Sequence, residues 1–337
     1  MEQKIRSIQG LRGWAILMVV LWHLNALYPG FLPKLGDRGV ELFLLLSGFL
    51  IARKCDSSDA LRTFRDSAAY AFRKLKGSYW LYLIPAVPVF LLDVFAGLAS
   101  MPFWRLLSYC TLTQSWIPDS RIFWGVNSAG WFLPAVLFCY LLTPVIRKAV
   151  RRFGAGPVLF VCLLLQAATE LLAKRFLGER ICDWLLYVCP AMRVLDFTLG
   201  FCAWHVFRSR GRKLSLRAWN ILYAAALVVI AGLLLLRPAF LEYVLYHPFD
   251  IMLLLAVASE KSVLSDALNR NRAAVYLGDL SRFIFFSHVP VIRLTGIIWR
   301  RIFNPDLVFP LWLVSLLMIL LTAVALSRLT RHFQKRK

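Results

Sequence analysis

Apolar runs recur along the whole chain, and they decide what it can fold into. Ten fall between residues 11 and 327, most long enough to cross roughly 30 Å of hydrocarbon at about 1.5 Å per helical residue. With 60% hydrophobic and 17% charged residues and a mean hydropathy of +0.65, the composition lies outside that of soluble domains. The pattern predicts an all-α, polytopic integral membrane bundle of about ten transmembrane helices. They run over residues 11–30, 39–52, 79–99, 130–146, 156–173, 184–205, 217–236, 246–259, 275–296 and 307–327, the second and eighth being short. The first run is long, polar in its middle and without a small-residue cleavage site, so it is expected to stay in the mature chain.

The formal charge of +22 could suggest nucleic acid, but the basic residues form short clusters between apolar runs and no single stripe or arm. No nucleic-acid partner is expected. Segments 1–12, 53–77, 147–152, 205–217, 260–273 and 328–337 hold 27 of the 40 Lys and Arg, whereas 34–38, 100–129, 174–180, 237 and 293–306 hold 11. Cytoplasmic loops are the ones enriched in Lys and Arg, which puts both termini in the cytoplasm, as an even helix count requires. Residues 53–77 have charges at helical spacing and read as an interfacial amphipathic helix. The tryptophan-rich stretch 100–129 reads as a re-entrant or interfacial cap on the outer side. Seven cysteines form no CxxC pair and no histidine lies at zinc spacing; they read as packing residues, and no metal is expected.

Within the first run, "LRGWAILMVVLWHLNALYPG", Arg12 and His23 are polar residues that hydrocarbon should reject. Eleven residues at about 100° each bring them back to one face, roughly 16 Å apart along the axis. With the N-terminus inside, Arg12 lies near the inner surface and His23 towards the outer half of the bilayer. An arginine at a helix end can also simply snorkel to phosphate headgroups, and a buried histidine can be a packed, hydrogen-bonded core residue. Glu41, at the outer end of the second run, comes to a similar depth. It could hold one imidazole nitrogen of His23 and leave the other as a base, or reach out to solvent as a boundary carboxylate.

"SIQGLRGWAILMVVLWH", with its Arg-x10-His spacing, followed by "GVELFLLLSGFLI", resembles the opening of the membrane acyltransferase 3 family, the bacterial O-acetyltransferases of surface polysaccharides. "FRKLKGSYWLYLIP", "GWFLPAVLFCYLLTPVI" and "LGDLSRFIFFSHVPVI" resemble its later segments. Where the family often has Arg-x-x-Arg before helix 3, this chain has Arg73, Lys74 and Lys76, and its usual aspartate in helix 2 is Glu41. A lysine binds phosphate as a point charge and lacks the guanidinium fork. The resemblance implies a single transmembrane acyltransferase domain over 1–337, with no C-terminal extracytoplasmic esterase-like domain, in the bacterial cytoplasmic (inner) membrane. It implies transfer of an acyl group, usually acetyl, from cytoplasmic acetyl-CoA to a hydroxyl of an extracytoplasmic glycan or lipid-linked sugar. Membrane lipids and polysaccharide-biosynthesis proteins are the other partners it suggests.

On that reading, the phosphates of CoA would meet Arg12, Arg73, Lys74 and Lys76. His23 would deprotonate the acceptor hydroxyl or be acylated transiently. Ser47 and Gly48 match the family and suit close helix packing. His288 matches its late histidine and could donate to the oxyanion or stabilise the bundle. Arg193 and Asp196, three residues apart, read as a structural ion pair. His205, His247 and His332 lie near helix ends or loops and receive no role. The alternative is a transporter or flippase for a glycan or acyl intermediate, because a polar path through ten helices also suits transport. A structural membrane component would leave Arg12 and His23 without a task.

Overall fold

A computed structural model describes residues 5–25, 35–58, 60–236, 240–303 and 308–335. The end of the first expected span, the loop before α2, Asp59, residue 237 and residues 304–307 lie outside the described residues. The helices are α1 (Arg6–Leu24), α2 (Leu35–Ser58), α3 (Phe64–Lys76), α4 (Tyr79–Phe95), α5 (Pro102–Cys110), α6 (Ser120–Phe123), α7 (Phe132–Leu141), α8 (Thr143–Phe153), α9 (Ala155–Phe176), α10 (Glu179–Asp183), α11 (Pro190–Ser209), α12 (Leu216–Leu236), α13 (His247–Ala258), α14 (Val263–Arg270), α15 (Arg272–Ile302) and α16 (Val308–Lys335). Among the described residues there is no strand.

The described parts of the ten apolar runs are mainly helical, and the protein is a multi-pass membrane bundle. Among the described residues six helices are long and apolar enough to span a bilayer, or eight if two bent pairs each count as one crossing. The remaining two runs are α2, which carries charges towards both ends, and α13, only 12 residues long. Two expected helices break, each at a proline, which has no N–H to donate and clashes with the preceding turn. Residues 130–146 split at Leu142 just before Pro144, and α8 turns by 52° to carry Arg147, Lys148, Arg151 and Arg152 away from the core axis. Residues 184–205 begin as a π-helical turn, 184–188, then Cys189 turns out of helix and Pro190 opens α11.

The amphipathic segment is present as α3. Thr63 and Asp66 exchange hydrogen bonds at 3.1 Å in a capping box that fixes its start. Residues 100–129 do form a cap, built from α5, a 3₁₀ turn at 114–116 and α6. It is tied to the bundle by Gln114 Nε2 donating to Tyr82 Oη (2.7 Å) and Ser115 Oγ donating to the Trp131 carbonyl (3.0 Å).

At the centre, α1 lies along α15, running in the same direction. A Cβ on Gly13 would strike the Ala274 carbonyl, and one on Gly278 the Gln9 carbonyl, so these glycines let the backbones touch. Gly48 does the same for α2 against Phe197 of α11. Six of the seven cysteines are buried and all are unpaired, in keeping with packing roles.

The ten-crossing map with both termini inside rests on the distribution of basic residues, and labelling tests it. With the half-buried Cys110 replaced by serine, a cysteine at Arg65 on α3 is expected to react with impermeant maleimide only from the cytoplasmic side. One at Asp119 is expected to react in intact cells. Reaction of both from one side would overturn the map.

Candidate active site

Two cavities lie along the α1–α15 pair. The one towards the N-terminal end of α1, termed inner after the expected topology, is about 460 Å³ and lined by Arg12, Arg53, Lys54, Lys74 and Arg282, with Tyr70 and Tyr140. The one towards the C-terminal end of α1, termed outer, is about 310 Å³ and lined by His23 with Trp22, Trp124, Trp131, Tyr187 and Tyr243, and by Asp37 and Asp183. Basic groups thus line the end near Arg12, and aromatic rings with carboxylates the end near His23.

Arg12 is part-buried, and its Nη2 donates to Ser281 Oγ at 3.0 Å, while that hydroxyl donates to the Gly278 carbonyl at 2.7 Å. This fixes the guanidinium at the cavity wall, away from free headgroup contact. Tyr70 packs beneath the ammonium groups of Lys54 (4.5 Å) and Lys74 (5.3 Å). Of the basic stretch before α4, only Lys74 lines the cavity; Arg73 and Lys76 are exposed on other faces of α3. Arg53 and Lys54 were not singled out from sequence because they follow the end of an apolar run, where topology accounts for a basic residue, and Arg282 lies inside the ninth run, in a stretch where only His288 drew a candidate role.

His23 is held by its Nδ1, 2.9 Å from the Val19 carbonyl and 3.3 Å from Nε2 of His288. His288 is wholly buried, with its own Nδ1 2.8 Å from the Phe285 carbonyl and 3.1 Å from that of Ile284. Carbonyls only accept, so both rings carry their proton on Nδ1. The Nε2 of His288 is then an acceptor facing His23, and Nε2 of His23 is left as the basic nitrogen of a ring that lines the outer cavity. In this tautomer Nε2 of His288 accepts and does not donate, and its contact with Nδ1 of His23 helps fix the His23 ring.

Glu41 reaches the expected depth but on another face. Asp37 and Val40 face the His23 cavity, while Glu41, a further 100° round α2, turns towards α11 and α13. There it bonds Arg38 (2.7 Å and 2.5 Å), with its Oε2 4.0 Å from His247 Nδ1. The partner that holds His23 is His288, 265 residues away in sequence.

His247 belongs to a buried polar cluster. Its Nε2 is 2.8 Å from Asp196 Oδ1, which also accepts from Gln166 Nε2 (2.5 Å), and Asp196 Oδ2 is 2.9 Å from Arg193. The Arg193–Asp196 ion pair read from sequence is therefore present, joined to groups from α2, α9 and α13. Among the described residues no group of three His, Cys, Asp or Glu side chains is arranged to hold a metal ion.

Pro290 brings in a residue from the cap. Lacking an N–H, it leaves the Phe286 carbonyl without its helical donor, and Asn127 Nδ2 supplies one at 3.2 Å while its Oδ1 takes the Ala129 N–H at 3.1 Å. Replacing Asn127 with alanine is expected to cost about 1–2 kcal/mol. In a Pro290→Ala background, where residue 290 can donate to Phe286, the cost should fall to that of the Ala129 bond alone. A thermal-unfolding double-mutant cycle checks this, and equal costs in both backgrounds would refute it.

A helical bundle with a buried histidine pair between a cavity lined by basic residues and one lined by aromatic rings and carboxylates has the polar groups that chemistry within a membrane needs. The sequence comparison supplies the class: the chain belongs to the family described as Acyltransferase domain, whose model matches residues 5–328. It is similar to "Putative acetyltransferase ORF330" of Acidianus two-tailed virus, 26% identical over 86% of this chain and 84% of the relative. It is also similar to "Acyltransferase MdmB" of Streptomyces mycarofaciens, 28% identical over 58% and 56%. A third relative is "Putative membrane-bound transacylase BcsY" of Komagataeibacter xylinus, 27% identical over 70% and 60%. The chain thus spans just over half the length of the latter two. No solved structure matches significantly. The protein is a membrane acyltransferase.

Proposed function

We propose that the protein moves an acyl group, in the simplest case acetyl, from cytoplasmic acyl-CoA to a sugar hydroxyl at the outer face of the bacterial cytoplasmic membrane. The observation that carries this reading is the division of one helix face, with Arg12 in a cavity of five cations and His23 in a cavity of aromatic rings and carboxylates. CoA brings several phosphates, which the cations suit, and an extended arm that can follow the stripe towards His23. A sugar ring presents C–H faces that pack on Trp and Tyr and hydroxyls that donate to Asp37 and Asp183. These features support an acceptor that is a glycan or a lipid-linked sugar.

In the proposed reaction, Nε2 of His23 takes the proton of the acceptor hydroxyl as its oxygen attacks the thioester carbonyl. The Nδ1–H of the resulting imidazolium is held by the Val19 carbonyl and His288. Collapse of the tetrahedral adduct breaks the carbon–sulfur bond, and the CoA thiolate takes the proton back from His23. The test is purified protein given acetyl-CoA with and without a glycan acceptor. Acceptor-dependent release of free CoA, with acetylated sugar found by mass spectrometry, is expected. A transporter would release none.

A further inference from the structure

The two cavities share a side chain, since Phe285 of α15 lines both. Its ring centroid is 4.9 Å from that of Phe132 on α7 and 6.0 Å from that of Phe43 on α2, and those two are 6.4 Å apart. Phe43 and Phe132 line the inner cavity and not the outer. Three rings from three helices therefore close a triangle across the path from Arg12 to His23. Directly beyond it stands His288, 5.9 Å from the Phe285 ring. All three corners are phenyl, with no hydroxyl, amide or charge to stand in for a hydration shell. A constriction of this kind excludes water and ions until something apolar parts it. The pairs meet edge to face or tilted, contacts that add about 0.5–1.5 kcal/mol each beyond burial, and one ring can swing aside without breaking a hydrogen bond.

We propose that Phe43, Phe132 and Phe285 form a septum that seals the inner cavity from the outer one, and that the acyl end of the donor is threaded through it to His23 as Phe285 swings aside. The sealing stands on the geometry alone, while the threading rests on the donor reading given above. The septum reconciles two demands on one site: a thioester supplied from one side must meet a hydroxyl supplied from the other, and the membrane must hold its ion gradients meanwhile. A slender thioester arm both opens the triangle and fills it.

The experiment uses the full chain in proteoliposomes loaded with a pH-sensitive dye, with protons as the probe. Phe285→Ala is expected to raise proton flux by about tenfold or more over wild type, Phe285→Leu to stay near wild type, and CoA on the inner-cavity side to slow the Phe285→Ala leak. If Phe285→Ala and the double variant Phe43→Ala/Phe285→Ala, both eluting as single folded species, are as tight as wild type, the septum is refuted. A second arm tests threading with Phe285→Trp, whose larger ring overfills the triangle. This variant is expected to bind CoA within about threefold of wild type by calorimetry yet to lose tenfold or more in acetyl transfer. Normal transfer by a folded Phe285→Trp protein would overturn the threading. If wild type itself transfers no acetyl group, the donor reading fails, and the leak comparison still decides whether the septum seals.

Discussion

Replacing His23 with alanine is expected to lower acyl transfer by about 100- to 10,000-fold, the range that a positioned proton acceptor supplies, without lowering the amount of protein in the membrane. Its ring is part-buried, fixed through Nδ1 to Val19 and His288, and lines the outer cavity through which a hydroxyl would arrive. Asp37 and Asp183 also line that cavity, but His23 is the one of the three that stands on α1 beside His288. Excess donor should not restore activity, because the loss is in turnover. Substantial transfer by His23→Ala at normal abundance would remove this residue from the mechanism. His288 acts through His23: His288→Leu should lower kcat and leave donor affinity unchanged, and His288→Gln, which keeps an acceptor, should recover part of the loss.

The other large effect belongs to the inner cavity. Each charged hydrogen bond to a CoA phosphate in a partly desolvated site contributes roughly 1.5–3 kcal/mol, so Lys54→Ala or Arg282→Ala is expected to weaken donor binding by about 10- to 150-fold. Higher acetyl-CoA should largely restore the rate. Arg12→Ala should behave the same way if its guanidinium meets a phosphate, and like His23→Ala if it guides the reacting arm. Arg73 and Lys76, exposed on α3 and outside the cavity lining, should show smaller effects than Lys54, Lys74 and Arg282. Calorimetry with CoA on each variant, beside acetyl-CoA titrations of the rate, separates affinity from turnover. If Lys54→Ala and Arg282→Ala bind CoA like wild type, the basic cavity is not the donor site.

What could be read from sequence follows from how local each feature is. The helical membrane bundle was legible because lipid leaves a long apolar run little choice, and the Arg12–His23 stripe because eleven residues is close to three turns. The helix breaks at Leu142 and Cys189 were also available, from Pro144 and Pro190, but hydropathy averages across them. Glu41 was legible in depth and not in rotation: its face depends on whether Val40 or Arg38 turns to α1, which packing against α11 decides. The His23–His288 pair, the Phe285 septum and the Asn127 contact join segments up to 265 residues apart, which no local period reports. Asn127 did leave one trace, since a proline inside a helix announces an open carbonyl four residues earlier.

The buried cluster of Arg38, Glu41, His247, Asp196 and Arg193 also bears on biogenesis. At 12 residues α13 is about 18 Å long, short of the hydrocarbon thickness. It carries His247 and Asp250, and α2 carries Arg38 and Glu41, so neither segment partitions well from the translocon as a lone helix. Arg38 and Glu41 pair within α2 itself, while the rest of the cluster comes from Asp196 and Arg193 of α11, His247 of α13 and Gln166 of α9, all made later. The cluster is therefore complete only when α13, more than 200 residues after Glu41, has joined it, so the polar interior of this bundle is assembled last and from both halves of the chain.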